Sequence, residues 1–495
     1  MVSPIIKPLA YRLRVSAHYS QRNGVPFLVL DFPLKTLRLN PFWIPLLEIL
    51  SGDLFIPLEH LASLAPSVSA DKCEFFLNSL VGKGFLEFEG ISPLSEFPSV
   101  SIIIPVRNRP EAIAACLESL IHIDYPPEKL EILVIDDNSS DRTPEVVSEF
   151  PVRLMALKEH KQASYCRNLA AREARGEILA FIDSDCLAEP LWLKELVPAF
   201  KDQSLGAGGG AVEAFSGDKG LDRYEEVKSS LKISSRFKRS SKEDRFFYLP
   251  SCNLLVRKTH FLKLGGFRED LFVGEDVDFC WRLQDAGCPI EYRPQGTIYH
   301  QHRNSLWPFC RRRFQYGTSE PWLQRWHSRR RKQLLFLPAE SLFWISLISA
   351  FFFLFWPLFF LSGGILLFST LHRFAHLPSR NISPGFQKIM GAVFRSYLVF
   401  FYHWAAFFSR YYLLVPILIF PFLPMISLAL IGLHLLNGAV EYFIKKPRLN
   451  FFSFLFYFTL DQLAYQAGVW WGCLKNRCFH PVNPVLTFKS VFRKG

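Results

Sequence analysis

Paired cysteines are missing from this sequence. Its ten cysteines are scattered, with no C-x-x-C pair and no zinc-ligand spacing. That speaks against a disulfide scaffold or a structural zinc, and for reduced thiols in a cytosolic setting. No basic-then-apolar leader opens the chain, so no cleaved signal is expected. No Lys/Arg-rich helix with nucleic-acid motif spacing occurs either, although the formal net charge is +12. The basic balance therefore points to a membrane surface or an anionic substrate, with no nucleic-acid partner. The clusters Arg311-Arg312-Arg313 and Arg329-Arg330-Arg331-Lys332 stand just before apolar sequence, as juxtamembrane charges do.

Charge is then absent over two long stretches, Ser341 to Leu371 and Tyr411 to Val440. Each exceeds the roughly 20 residues that cross a bilayer. Pro357 and Gly363-Gly364 are expected to break the first, and Pro416, Pro421 and Pro424 the second. Segments 391–410 and 451–474 carry Arg395, His403 and Asp461 inside apolar sequence, so interfacial helices compete there with spans. Residues 331–495 are read as a helical membrane region with two to four spans. The basic run 329–332 places what precedes it on the cytoplasmic side.

At 495 residues the chain has room for two or three domains. Residues 1–95 form a first unit. Val25–Leu30 and Thr36–Leu39 pattern as strands, and helices are expected over 41–51, 57–65 and 70–83. Gly84 stops the last helix, and Phe85–Phe88 closes the unit as a strand. The order suggests a small winged-helix unit. Without a basic recognition helix it fits a peptide better than DNA.

From Ser99 strands and helices alternate: Val100–Pro105, a helix opened by Arg109-Pro110-Glu111, Glu131–Ile135, Val152–Leu157, a helix over 163–174, then Gly176 to Phe181. This order makes a mostly parallel sheet flanked by helices over residues 96–330, with ligands bound at the carboxyl ends of its strands. Three of those ends are polar: Val106-Arg107-Asn108, Asp136-Asp137 and Asp183-Ser184-Asp185. In an extended chain residues i and i+2 point to one side, so Asp183 and Asp185 converge, and paired carboxylates suit Mg²⁺ or Mn²⁺. A lone D-x-D is a weak signal, since acidic turns after strands are usually just solvated; three polar ends in register are not ordinary. Further on, Gly274-Glu275-Asp276-Val277-Asp278 opens a helix, with Asp278 and Arg282 placed as an i,i+4 pair. His300 and His302 follow at strand-like spacing after an apolar segment.

In this order and spacing, Ile104–Asn108, Ile135–Asp141, Cys166-Arg167-Asn168, Phe181–Asp185 and Gly274–Asp278 resemble the family 2 glycosyltransferases over about residues 97 to 320. The resemblance implies a GT-A fold and transfer of a sugar from a nucleotide sugar with inversion. It implies that Pro105, Arg107, Asn108, Asp136 and Asp137 hold the nucleoside, that Arg167 approaches the nucleotide, and that Asp183 touches ribose and metal. Asp185 would bind the divalent cation, His300 would be a third metal ligand with His302 as the alternative, and Asp276 would be the catalytic base. Two departures stand out. Lys161-Gln162 occupies a position where the family often has Gly. The Q-x-x-R-W pattern of processive synthases is absent, because Gln324-Arg325-Trp326 is too compact, which argues against long polymers.

The first unit resembles PqqD-like peptide-binding modules. Together with the tail Asp461–Cys473, the arrangement is similar to the mycofactocin-system glycosyltransferases. That resemblance implies UDP-glucose as donor and a peptide-derived redox cofactor, premycofactocin, as acceptor. Two alternatives stand beside it: a membrane lipid or polysaccharide acceptor, and a catalytically silent, membrane-anchored peptide-binding scaffold. A retaining hydrolase is a weaker rival, since Asp183 and Asp185 share one strand end and favour a metal.

Overall fold

The structure, a computed structural model, describes residues 8–22, 25–31, 34–52, 54–91, 94, 96–215, 217, 219–240, 246–301, 305–376 and 385–488. The chain forms two compact units. One is built from residues 1–9, 89–330 and 441–479, the other from 10–88, 331–440 and 480–495.

The first unit carries the large sheet. Numbered from Val100, its elements are β1 (Val100–Val106), α1 (Pro110–Ile121), β2 (Leu130–Asp136), β3 (Arg153–Ala156), α2 (Ala163–Glu173), β4 (Ile178–Phe181), β5 (Cys186–Ala188), β6 (Ala207–Gly209), β7 (Val212–Ala214), α3 (Gly220–Lys228), β8 (Lys238–Arg239), β9 (Leu254–Arg257), α4 (Glu275–Asp285), β10 (Ile290–Tyr292), β11 (Ile298–His300), α5 (Leu306–Trp326) and α6 (Phe451–Asn476). The eight-stranded sheet runs β8-β10-β6-β9-β4-β1-β2-β3. Strands β3, β2, β1 and β4 are parallel, as the alternating pattern predicts. Strand β9 enters antiparallel between β4 and β6. A second sheet, β5-β11-β7, follows the tip of β4.

The β-branched run of β1 explains the core. Ile102 and Ile104 face one side, with Val134, Ala180, Leu117 and Trp192, all fully buried. Ile103 faces the other, with Leu133, Leu179, Phe181, Phe261 and Phe279. A strand covered on both faces needs mostly apolar side chains, which is why β1, β2 and β4 read as near-continuous apolar runs, broken by Ser101 in β1 and Glu131 in β2. Truncating one of these side chains to alanine costs about 2–5 kcal/mol through the cavity left behind.

Helices α5 and α6 pack closely. A Cβ on Gly468 would strike the Phe314 carbonyl, and one on Gly472 would meet the Thr318 carbonyl. Asp461, read from sequence as a polar interruption in an apolar segment, is buried here. It accepts a hydrogen bond from Tyr224 of α3 at 2.9 Å and sits 3.2 Å from Arg313 of α5. The segment 451–474 is thus one long helix held to α3 and α5 by a paired charge.

In the second unit the strands Ala17–Arg22, Val25–Asp31 and Leu34–Arg38 form an antiparallel meander, followed by helices Ile44–Leu50, Leu58–Ser63 and Ala70–Gly82. Strand Leu86–Glu89 joins Ala10–Leu13 and Ile56–Pro57 in a second small sheet. The helices and the closing strand follow the expected order, and Gly84 ends the third helix at φ +87°. Strand Ala17–Arg22 was not legible: its Ala-His-Tyr-Ser-Gln-Arg has no apolar face.

The breaks in the first apolar stretch differ from expectation. The chain turns at Leu354, at φ +49°, between Pro338–Phe353 and Trp356–His376. Pro357 falls in the first turn of the following helix, where a missing N–H costs nothing, and Gly363-Gly364 lie inside that helix in open space. Among the described residues two helices, Trp356–Ala375 and Pro424–Lys445, are long and apolar enough to cross a membrane.

Candidate active site

The site grows from three parallel strand ends. Residue Asn108, just past β1, adopts φ +51°, a conformation Asn tolerates better than most residues. Its N–H donates to Ser139 Oγ at 2.9 Å and its Oδ1 accepts from the Ser140 N–H at 2.8 Å, which ties the β1 tip to the β2 tip. Pro105 is half-buried within β1, and Arg107 is exposed at the rim. Asp136 is buried and accepts the Ser139 N–H at 3.0 Å; its other carboxylate oxygen has no partner among the described residues. Asp137, also buried, is fully engaged. It accepts from the N–H groups of Lys161 and Gln162, at 2.6 and 2.9 Å, and pairs with His160 Nδ1 at 2.7 Å.

Those bonds pull the chain into α2 through Gln162, whose φ is +76° and ψ 163°. This region is close to glycine's alone, and other residues pay about 1–3 kcal/mol to occupy it. The departure noted in the sequence therefore has a backbone meaning: the loop keeps a glycine conformation without the glycine.

One turn into α2 lies Arg167, buried. It donates to Asp183 at 2.5 Å with one nitrogen and to Glu275 at 3.0 Å with another, clamping the β4 tip to the start of α4. Arg167, expected from the resemblance to approach the nucleotide, is thus held inside an ion-pair bridge. Glu275 was not singled out in the sequence, because its partner lies 108 residues away. Beside it, Asp276 accepts the Ser251 N–H at 3.1 Å. Burial first, and the neighbouring Glu275 second, push its carboxyl up to about 7. Asp278, by contrast, is wholly buried. It takes Arg268 at 3.2 Å, Arg282 at 2.7 Å and His327 at 2.9 Å, so it anchors the helix that presents Asp276.

Asp185 meets His300 through strand register. Cys186 of β5 pairs with His300 of β11, and the Asp185 carbonyl accepts the Gln301 N–H at 3.0 Å. His300 Nε2 stands 3.6 Å from one carboxylate oxygen of Asp185, and the other oxygen pairs with Arg109. Burial raises the Asp185 carboxyl, but His300 and Arg109 outweigh it and hold the group below the usual carboxylate value. Asp185, Cys186 and His300 offer three ligand atoms within 4.8 Å of one another, a set able to hold a metal ion. His302 lies outside the described residues. Arg312 of α5 adds a further positive charge felt by Glu275 and Asp183. All ten cysteines are free thiols, as expected.

Residues 101–264 match the family described as Glycosyl transferase family 2. The pre-mycofactocin glycosyltransferase of Mycobacterium tuberculosis is 24% identical over 396 residues, covering 78% of this chain and 82% of that relative. Glycosyltransferase AglE of Haloferax volcanii is 32% identical over 205 residues, 40% of this chain and 65% of AglE. Among solved structures, the mannosyltransferase PcManGT from Pyrobaculum calidifontis, in complex with GDP-Man and Mn²⁺, is similar at 21% identity and a TM-score of 0.38, covering 48% of this chain and 65% of that one. Residues 101–264, on the parallel α/β sheet with its acidic strand ends, thus match a family 2 glycosyltransferase domain.

Proposed function

We propose that this glycosyltransferase is membrane-attached and inverting, and that it moves a hexose, glucose from UDP-glucose, onto a peptide-derived acceptor, premycofactocin. The observation that carries the reading is extent. The likeness to the mycobacterial pre-mycofactocin enzyme runs over 396 residues, well beyond the family domain at 101–264. The first unit of the sequence, residues 1–95, would present the peptide, and the helices Trp356–Ala375 and Pro424–Lys445 would attach the chain to the membrane, with the transferase domain on the cytoplasmic side.

In this reading the polar rim at Pro105, Arg107, Asn108, Asp136 and Asp137 frames the nucleoside. Arg167 keeps Asp183 fixed against the start of α4, so that donor and base meet in one geometry. Asp276, poised at about 7, takes the acceptor hydroxyl proton as that oxygen attacks the sugar. The oxygen and imidazole donors of Asp185 and His300 fit Mg²⁺ or Mn²⁺. Once bound there, such an ion would neutralise charge growing on the departing diphosphate.

The test is an incubation of the purified full-length protein with labelled UDP-glucose and either the peptide-derived acceptor or a lipid extract. Label on the peptide is expected. Label confined to lipid overturns the acceptor, and no UDP release with either overturns the transfer itself.

A further inference from the structure

Two arginines touch the Asp183–Asp185 strand end, and they are held in opposite ways. Arg167 is 4% exposed and bridges two carboxylates, Asp183 and Glu275. Arg109 is 41% exposed at the side chain, and among the described residues Asp185 is the one hydrogen-bond acceptor of its guanidinium. Its backbone is nonetheless fixed. The Arg109 N–H donates to Thr143 Oγ1 at 2.9 Å, and its carbonyl accepts the Ile113 N–H at 3.0 Å as α1 begins. The guanidinium can therefore leave Asp185 by side-chain rotation alone.

Where it sits matters more. Arg109 takes one oxygen of the carboxylate whose other oxygen is 3.6 Å from His300 Nε2. A divalent cation held by Asp185 and His300 would compete with Arg109 for the same charge. Arg312 already repels Arg109. A cation entering alone would leave an arginine stranded beside it; a cation arriving with a diphosphate supplies the anion that the displaced arginine needs.

Resting on the nucleotide-sugar reading above, we infer that Arg109 is an exchangeable counter-charge. It neutralises Asp185 before the donor arrives and passes to the donor diphosphate when the cation takes its place. Cation and diphosphate binding are thereby coupled through one side chain.

The experiment measures Mn²⁺ binding to the full-length protein from the loss of the free-ion electron spin resonance signal, with and without UDP. Arg109→Gln is expected to bind Mn²⁺ alone about tenfold more tightly than the wild type, and to lose most of the enhancement that UDP gives, within the 5–150-fold span of typical site coupling. Arg109→Lys, which keeps the charge, should return toward the wild type and guards against misfolding of the first variant. Arg142→Gln, at an exposed pair with Glu111, should change neither quantity. If the wild type binds UDP and Mn²⁺ but Arg109→Gln matches it in both, or binds Mn²⁺ alone more weakly, the exchange is wrong while the donor reading stands. If the wild type binds neither UDP nor Mn²⁺, both fall.

Discussion

The tips of β2 and β4 look alike in sequence, Asp136-Asp137 against Asp183-Ser184-Asp185, yet the fold treats them differently. Asp137 is held by two backbone N–H groups and His160. Asp136 takes the Ser139 N–H. Asp183 and Asp185 are met by arginines, and His300 stands beside Asp185 as His160 does beside Asp137. Backbone amides belong to the fold and cannot be exchanged, whereas a side-chain cation can be traded for a metal ion or a substrate charge. In the proposed reading, acidic strand ends are thus sorted into scaffold and chemistry by what satisfies them rather than by their own sequence.

The largest effect that sharpens this contrast lies at Asp276, the proposed base. Asp276→Asn should lower kcat by about 10²–10⁴-fold with the fold intact, since it removes a general base and little packing. In the wild type the rate should rise with pH through about 7, as Asp276 gives up its proton. The linked stability has the opposite sign. The folded pKa lies above the unfolded carboxylate value near ~3.9, so the stabilising proton is present below that value and lost as pH rises to about 7. The Asn variant should flatten both the rate profile and this stability slope; a wild-type rate with no inflection near 7 would remove Asp276 as the base.

Next comes a direct exchange of roles. Asp137→Ala should cost about 1–3 kcal/mol in thermal or denaturant unfolding, because it removes the one acceptor shared by the Lys161 and Gln162 N–H groups and His160. Asp185→Ala should cost much less stability and abolish Mn²⁺ binding. If both substitutions destabilise equally and both spare the ion, the division between scaffold and chemistry fails. The smallest effect is at the loop that Asp137 holds. Gln162→Gly should stabilise by about 1 kcal/mol, relief of backbone strain outweighing the added freedom of glycine in the unfolded chain. An unchanged or lowered melting temperature would mean the loop carries no strain.

Much of the fold was legible. The apolar runs of β1, β2 and β4 and the 3.6-residue stripe of α1 have their periods because both sheet faces are covered, and their bounds agree with the structure to within one or two residues. The short helix Thr143–Ser148 and strand β5 escaped notice, being too brief to carry a period. The long apolar segments were harder. Composition marked where charge was absent, but the break at Leu354 has no local signal, since no Gly or Asn marks its positive φ.

By itself the sequence determined the order of the main strands and helices and the acids at their ends, because these depend on neighbours a few residues apart. Only the tertiary structure decided what each acid meets. Arg109 reaches Asp185 across 76 residues, Arg167 reaches Glu275 across 108, and His300 meets Asp185 through the register of two short strands. Such meetings are set by sheet order and helix packing, in which every residue between the partners takes part, and no local pattern encodes them.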